Sequence, residues 1–404
     1  MATSGWDDAA AGAGADGAIK LRPKPVAAPR RRALRPPADA STNRRRSSPT
    51  PRPRSRWRRL VFGLALGALV AALTDAAARR RAPGVAPGAA DPPPPKIAFL
   101  FLTRGALPHD HLWARFFQDQ DPALYAVHVH APPDFTFDAT TTSSPDALRL
   151  FRRAVIPNPV ASTAWGTASV VLAEKRLLAR ALLDPAAERF VLLSESCVPI
   201  RPFPRVRAVL LDTDRSFVES SLDRHQRWPG AHDPRAAAEI PRATWRKGSQ
   251  WFAMTRPHAA VVADDERLFR AFERYCAAND PTATARATAR AASSDGFCAP
   301  DEHYVPTVLT SAGLERQLEN RGVTYANWWP STRWHPKRYA VQEARDAVET
   351  ILRKDRAESL FDGADETCGW FRDGAPRECY LFARKFTPRA GVRIGTFAAA
   401  LLGY

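Results

Sequence analysis

Apolar runs of strand length alternate with helical patterns in the central part of the chain. Residues 97–102 (IAFLFL) are continuously apolar, which is typical of a strand covered on both faces. A helical pattern over 112–118 and a second strand over 125–130 (YAVHVH) follow. Residues 169–183 have amphipathic helical periodicity and lead into a third apolar strand that ends near Ser194. This order of elements predicts an α/β fold with a mainly parallel central sheet.

A longer apolar run lies nearer the start of the chain. Residues 60–73 contain no charged side chain, and the run extends to residue 78 with Asp75 as its only interruption. About 20 apolar residues cross a bilayer, and a helix of a soluble domain would need a polar stripe, which this run lacks. The run therefore predicts a transmembrane anchor over 60–78. A basic, serine-rich organellar transit sequence is the alternative interpretation.

The segments on either side of this anchor are unusual in composition. Residues 1–59 hold 15 Lys or Arg against 4 Asp, so +11 of the net charge of +17 lies there. This balance predicts a disordered basic tail, which the positive-inside rule keeps in the cytoplasm. A nucleic-acid partner is not expected, because an apolar run adjoins the tail. Proline-rich residues 79–95 predict a semi-rigid stem, followed by a lumenal domain over 96–390 and a C-terminal tail over 391–404.

Several common catalytic motifs are missing from the sequence. It contains no GxxxxGK loop, no HExxH, no paired CxxC and no GxSxG, and its GxGxxG at residues 12–17 lies in the basic tail, where no apolar strand precedes it. Nucleotide-triphosphate hydrolysis, dinucleotide redox chemistry, zinc sites and α/β-hydrolase chemistry therefore lose their usual sequence support. Ligands of open parallel sheets bind beyond the carboxyl ends of the strands. That rule singles out Thr103, Arg104 and Gly105 after the first strand, and residues 194–197 (SESC) after the third.

Four later segments combine aromatic residues with charged or polar ones. They are 244–258 (TWRKGSQWFAMTRPH), 297–309 (FCAPDEHYVPTVL), 324–339 (TYANWWPSTRWHPKRY) and 378–388 (ECYLFARKFTP). Each has a purely structural interpretation. Asp-Glu can occupy the N-terminal turn of a helix, tryptophans pack in cores, and Arg-Lys can lie on a solvent-exposed surface. Exposed tryptophans beside polar groups also suit sugar rings, whose apolar faces stack on aromatics while the hydroxyls need hydrogen bonds.

The order and content of these segments resemble one known family. From about residue 96 to 388 the chain is similar to plant relatives of the core-2/I-branching β-1,6-N-acetylglucosaminyltransferases, the brittle-culm type. The resemblance rests on FLTRG, FVLLSESCVPI, KGSQWF, PDEHYVPT, NWWPS and CYLFARKF, with an anchor and stem in front. It implies a GT-A-like fold in the Golgi lumen, type II membrane topology, and inverting transfer of a sugar from a nucleotide sugar.

The resemblance implies roles for individual donor-side residues. It makes Glu302 the general base that accepts the proton of the acceptor hydroxyl, and Lys385 a ligand of the nucleotide diphosphate. A second basic ligand is expected, with Arg377 and Arg384 both open as candidates. Residues 194–196 (SES) stand where many GT-A enzymes carry a metal-binding Asp-x-Asp, so neither a metal nor another cofactor is expected. The donor-binding candidates are Thr103, Arg104, Glu195, Arg377, Arg384 and Lys385.

The acceptor side follows from the same resemblance. Trp328 matches a family tryptophan that lines the acceptor site, and residues 247–251 (KGSQW) are expected at the same cleft. The acceptor-binding candidates are Trp328, Lys247, Gly248, Ser249 and Trp251. We expect a UDP-linked donor, with a plant wall polysaccharide or an arabinogalactan protein as acceptor.

Two other functions compete with sugar transfer. A catalytically silent carbohydrate-binding or scaffolding protein could keep the fold, but it would need no base. A lumenal glycoside hydrolase would need a second carboxylate about 5–10 Å from Glu302, and the sequence shows no evident partner.

The five cysteines fit an oxidising lumen. One pairing compatible with the spacing joins Cys368 to Cys379, and Cys276 to Cys298 across an Ala/Thr-rich loop, and leaves Cys197 free. The sequence alone leaves the pairing open.

Overall fold

The described part of the computed structural model comprises residues 93–223, 227–276, 298–328, 335–354 and 378–404. These residues all belong to one compact unit, Ala90–Tyr404. The predicted tail, the predicted anchor and most of the predicted stem lie outside the described residues, as do Arg377 and Cys368. None of the helices within the described residues is long and apolar enough to cross a membrane.

Strands and helices are interspersed along the described chain. The strands are β1 (Lys96–Leu102), β2 (Tyr125–His130), β3 (Ala187–Ser194), β4 (Val198–Pro199), β5 (Ala253–Thr255), β6 (Thr324–Ala326) and β7 (Phe382–Arg384). The helices are α1 (Asp110–Phe117), α2 (Pro145–Arg152), α3 (Ala168–Leu182), α4 (Phe203–Leu211), α5 (Pro234–Glu239), α6 (Arg256–Asp264), α7 (Arg267–Tyr275), α8 (Pro300–Ser311), α9 (Ala344–Lys354), α10 (Pro388–Gly395) and α11 (Ala398–Leu402). The elements predicted from the apolar pattern are confirmed as β1, α1, β2, α3 and β3.

β1 lies inside the larger sheet, whose strand order is β2–β1–β3–β5. It pairs in parallel with β2 and β3, so that Leu102 lies beside His130 and Ser194. β5 runs antiparallel to β3, with Ala253 beside Val191. Three strands therefore end, and β5 begins, at one edge of the sheet, which we call the carboxyl edge. The prediction of an α/β fold with a mainly parallel sheet is confirmed, and the arrangement is consistent with a GT-A-like fold.

Phe99 in the middle of β1 is the centre of an aromatic cluster. Its side chain is fully buried, and its ring meets five others at centroid distances between 5.0 and 6.4 Å. These are the rings of Trp113, Phe116, Phe117, Phe203 and Phe382. Because one of the five rings comes from β7, the cluster joins the larger sheet to a smaller one.

The smaller sheet has the strand order β4–β7–β6. β6 and β7 are parallel, and Ala326 at the end of β6 lies beside Arg384 at the end of β7. Trp328 follows the first of these strands and Lys385 follows the second. Two predicted site residues therefore leave the smaller sheet at the same edge.

Residues 391–404, predicted as a tail, are part of the folded unit. They form most of α10 and all of α11, and the side chains of Ile394 and Leu402 are buried. The hydroxyl of Tyr404 donates a hydrogen bond to the carbonyl of Pro199 over 2.8 Å. The segment therefore packs against β4 because its apolar side chains find a core there.

The cysteine pairing agrees with the expectation where the residues are described. Cys276 is bonded to Cys298, which ties the end of α7 to the residues that precede α8. Cys197 is free and buried. Cys379 is disulfide-bonded, while its expected partner Cys368 lies outside the described residues.

Replacing Phe99 by alanine is expected to lower the free energy of unfolding by about 3–5 kcal/mol, because it removes a fully buried ring from the cluster. Denaturant unfolding followed by intrinsic fluorescence measures the change. Leu183→Ala is the control, since that side chain is 70% exposed, and it should stay within about 0.5 kcal/mol. Equal effects of the two substitutions would contradict the central role of the cluster.

Candidate active site

An ion pair joins the loops that follow β1 and β3 at the carboxyl edge. Arg104 follows β1, and its guanidinium lies 2.9 Å from Oε1 of Glu195, which follows β3. Thr103 is buried, and its hydroxyl donates to the carbonyl of Gly105 over 2.8 Å. Thr103 therefore shapes the turn that presents the arginine. The structure brings these three predicted donor-side residues together.

Lys385 lies among other charged side chains where β7 ends. Burial lowers the pKa of Lys385 to about 8, and neighbouring positive charges add to that shift. The positive charges belong to Arg384, Arg338 and Arg104, and the carboxylate of Glu195 opposes them. Several cations around one carboxylate leave a local excess of positive charge, which suits an anionic group such as a diphosphate.

Arg384 connects this cationic group with the rest of the site. Its guanidinium carbon lies 4.1 Å from the centre of the Trp251 ring. Burial lowers the pKa of Arg384, while the negative charges of Glu195 and Asp301 act in the opposite direction. Its Nε is buried and has no hydrogen-bond partner among the described residues. Arg384 therefore interacts electrostatically both with the loop after β3 and with the start of α8.

Glu302 lies in the first turn of α8. Pro300 occupies the first turn too, where a missing N–H costs no helical hydrogen bond, and the acidic pair 301–302 complements the positive end of the helix dipole. Oε2 of Glu302 lies 3.1 Å from Nη1 of Arg227 and 3.1 Å from Nζ of Lys247. No described residue donates a hydrogen bond to Oε1, and the side chain is 22% exposed.

A proline inside α8 allows residues 247–251, the KGSQW segment, to dock on this helix. Pro306 has no N–H, so the carbonyl of Glu302 lacks its usual helical partner four residues later. That carbonyl instead accepts a hydrogen bond from the N–H of Gly248 over 2.8 Å. A Cβ at position 248 would lie 2.0 Å from the carbonyl oxygen of Glu219, so only glycine fits there. Gly248 therefore serves the site through its backbone.

Glu219 is a second carboxylate close to Glu302. Its Oε2 accepts a hydrogen bond from the N–H of Ser249 over 3.2 Å. Burial raises the pKa of Glu219, the positive charge of Lys247 opposes that shift, and the charge of Glu302 adds to it. Lys247 therefore interacts with both carboxylates, while Ser249 is used through its backbone N–H.

Two further carboxylates are buried near the start of α8. Burial raises the pKa of Asp301 to about 6, and the adjacent charge of Glu302 adds to the shift. Glu174 on α3 is 1% exposed, and burial raises its pKa well above the ordinary range. Oε1 of Glu174 accepts a hydrogen bond from Nε2 of Gln250 over 2.7 Å. The KGSQW segment thus contacts acidic groups on both α3 and α8.

The two tryptophans predicted for acceptor binding differ in exposure. Trp328 is 48% exposed, whereas Trp251 is 6% exposed and lies against Arg384. Arg377, the other arginine predicted to assist Lys385, lies outside the described residues. Within the described part of the chain, no three His, Cys, Asp or Glu side chains are arranged to hold a metal ion.

Sequence motifs do not reveal three charged residues of this site. Arg227 contacts Glu302 from a loop. Glu219 lies in a segment that forms isolated β-bridges, and Glu174 lies on α3. None of the three belongs to a recognisable motif. Glu174 could have been noticed, because it occupies the apolar face of the amphipathic helix α3, where a carboxylate is out of place.

Comparison with known proteins shows the family of the chain. A model of the family described as Core-2/I-Branching enzyme matches residues 97–352, which is more than half of the chain and includes Glu302. The chain is also similar to Glycosyltransferase BC10 of Oryza sativa subsp. japonica, with 37% identity over 311 residues that cover 74% of this chain and 75% of the relative. The chain therefore belongs to the Core-2/I-Branching enzyme family and is a glycosyltransferase.

Proposed function

We propose that the protein transfers a sugar from a UDP-linked donor to a hydroxyl of a glycan or glycoprotein, with inversion at the anomeric carbon and without a metal ion. The observation that carries the proposal is the setting of Glu302. Its carboxylate is held by Arg227 and Lys247, while its neighbour Asp301 interacts with Arg384 beside Lys385. The side chain of Asp301 therefore connects the proposed base, Glu302, with the proposed diphosphate-binding group at Arg384 and Lys385.

Glu302 acts as the general base in this proposal. Both cations contact Oε2, so Oε1 keeps its lone pairs for the proton of the acceptor hydroxyl. As the hydroxyl oxygen loses that proton, it forms a bond to the anomeric carbon from the face opposite the departing diphosphate. The bond from the anomeric carbon to the diphosphate oxygen breaks with its electron pair, and the configuration inverts.

The cations near Lys385 take the place of a metal ion in stabilising the leaving group. Lys385, Arg384 and Arg104 all lie near the loops after β1, β3 and β7, where nucleotide ligands of parallel sheets bind. Fixed positive charges lower the energy of a developing diphosphate in a site with little water. Glu195 pairs with Arg104 and leaves the cationic excess in place.

The proposal extends to the acceptor side and the cellular location. Trp328 is exposed just after β6 and offers an apolar face for a sugar ring. The proposed acceptor is a plant wall polysaccharide or an arabinogalactan protein, since the similar Glycosyltransferase BC10 comes from a plant. The apolar run over 60–78 supports a type II anchor that places the enzyme in the Golgi lumen.

Glu302→Gln is expected to lower kcat by about 100-fold or more while the donor still binds, because an amide cannot accept the proton. The purified full chain is first screened against a nucleotide-sugar panel with release of UDP or GDP as the readout. Turnover with the donor found in this way is then compared between the wild-type chain and the variant.

Glu239→Gln is the matched control for that substitution. Glu239 also accepts a hydrogen bond from an arginine, Arg274, over 2.7 Å, but it lies on α5 outside the site. Its loss should leave turnover nearly unchanged. If Glu302→Gln turns over like wild type, Glu302 is not the base, and if the wild-type chain releases no nucleotide from any donor, the catalytically silent alternative holds.

The affinity of the chain for UDP is expected to fall as the pH rises through about 8, where Lys385 loses its charge. Below that pH the ammonium is charged and attracts the diphosphate, and above it the neutral amine does not. Lys385→Ala should raise the UDP dissociation constant by about 10- to 100-fold at pH 7. Isothermal titration calorimetry between pH 7 and 9.5 measures both effects.

Lys385→Arg provides the control for the pH dependence. Because an arginine stays charged throughout this range, the variant should bind UDP with little change between pH 7 and 9.5. The same pH dependence in the lysine and arginine forms would remove Lys385 from the diphosphate site. Loss of UDP binding or turnover in EDTA would show that a metal ion is needed after all.

The proposed topology is expected to protect the C-terminal part of the chain inside closed membrane vesicles. A full chain with an epitope after Tyr404 should resist protease in intact microsomes and become sensitive after detergent. A chain lacking residues 1–95 should not sediment with membranes after carbonate extraction. A protease-sensitive epitope in intact vesicles would contradict the lumenal location.

A further inference from the structure

The ring of Trp251 is not available to a sugar. Only 6% of this residue is exposed, and the guanidinium carbon of Arg384 lies 4.1 Å from the ring centre. Stacking of a pyranose needs an open aromatic face, such as that of Trp328, which is 48% exposed. The face of Trp251 toward the site is covered by Arg384.

Arg384 needs a contact that holds it among other cations. Lys385 follows it in sequence, and Arg104 acts on it with a repelling charge. Its Nε finds no hydrogen-bond partner among the described residues. The negative face of an indole ring attracts a guanidinium and does so more strongly away from water. The Trp251 ring therefore stabilises a cation whose other close neighbours include like charges.

Trp251 is itself held from both sides along the chain. Before it, Gln250 donates a hydrogen bond over 2.7 Å to the buried carboxyl group of Glu174. After it, the carbonyl of Phe252 accepts a hydrogen bond from the N–H of Leu192 in β3 over 3.0 Å. These bonds connect the ring to α3 and to the larger sheet, so its orientation is set by the core.

We propose that Trp251 is a positioning residue for the leaving group, which holds the Arg384 guanidinium where the donor diphosphate binds. The inference rests on the proposed function, because it takes Arg384 and Lys385 as the diphosphate ligands. The KGSQW segment then serves both halves of the reaction. Its first residues hold Glu302 through Lys247 and Gly248, and its last residue holds the leaving-group arginine.

A double-mutant cycle on the full chain tests this role with UDP as the probe. Trp251→Leu removes the aromatic face and should raise the UDP dissociation constant by about 3- to 30-fold. Trp251→Phe keeps an aromatic face and should recover most of the affinity. In an Arg384→Ala background, Trp251→Leu should cause no further loss, because the ring acts only through the arginine.

Trp328→Leu is the matched comparison, because Trp328 is an exposed tryptophan that follows the neighbouring strand β6. It should lower turnover through the acceptor while its UDP dissociation constant stays within about two-fold of wild type. Thermal unfolding of every variant is measured alongside. If Trp251→Leu lowers UDP affinity by the same factor with and without Arg384, Trp251 only supports the fold. If Trp251→Leu leaves UDP affinity unchanged, the proposal is overturned as well.

The outcomes also separate this inference from the proposed function. If wild type binds UDP and Lys385→Ala weakens binding while Trp251→Leu does not, only the role of Trp251 fails. If wild type binds no UDP and Lys385→Ala changes nothing, the diphosphate site itself is wrong and both proposals fall.

Discussion

The hydrogen bond from Gly248 N–H to the carbonyl of Glu302 is the contact on which the arrangement of the site depends. It exists because Pro306 leaves that carbonyl without a helical partner and because residue 248 has no side chain to strike Glu219. The bond fixes the KGSQW segment against the first turn of α8. Lys247 can then reach the Glu302 carboxylate, and Trp251 lies under Arg384. A helix irregularity thus sets the geometry of both charged groups.

Charge in the site is distributed so that carboxylates and cations alternate. Glu302 contacts two cations. Lys247 interacts electrostatically with Glu219 and with Asp301, and Asp301 interacts electrostatically with Arg384. Burial of Asp301 and Glu174 is unfavourable for an ionised carboxylate, as their raised pKa values show. The hydrophobic core around Phe99 and the covered faces of β1 must offset this cost. The stability of the sheet therefore offsets the unfavourable burial of carboxylates at the site.

The sequence predicts the larger sheet well and the smaller sheet hardly at all. β1 and β3 are long apolar runs whose burial on both faces follows from their composition, and β2 is a six-residue run with only its last two residues buried. β4, β6 and β7 have two or three residues and show no periodicity. The roles predicted for Glu302, Lys385 and Arg384 come from recognisable segments that contain these residues. Arg227 could not be predicted in the same way, since its contact with Glu302 arises only when a loop 75 residues earlier in the chain meets the start of α8.

The bond between Cys276 and Cys298 bears on how this enzyme can be produced. It closes a loop of 22 residues and ends two residues before the helix that presents Glu302. A cross-link of that span stabilises a fold by about 3 kcal/mol in the chain-entropy model. In a bacterial cytosol both thiols stay reduced, and the start of α8 loses its tether. Recombinant chain from an oxidising host is therefore the appropriate material for kinetic work.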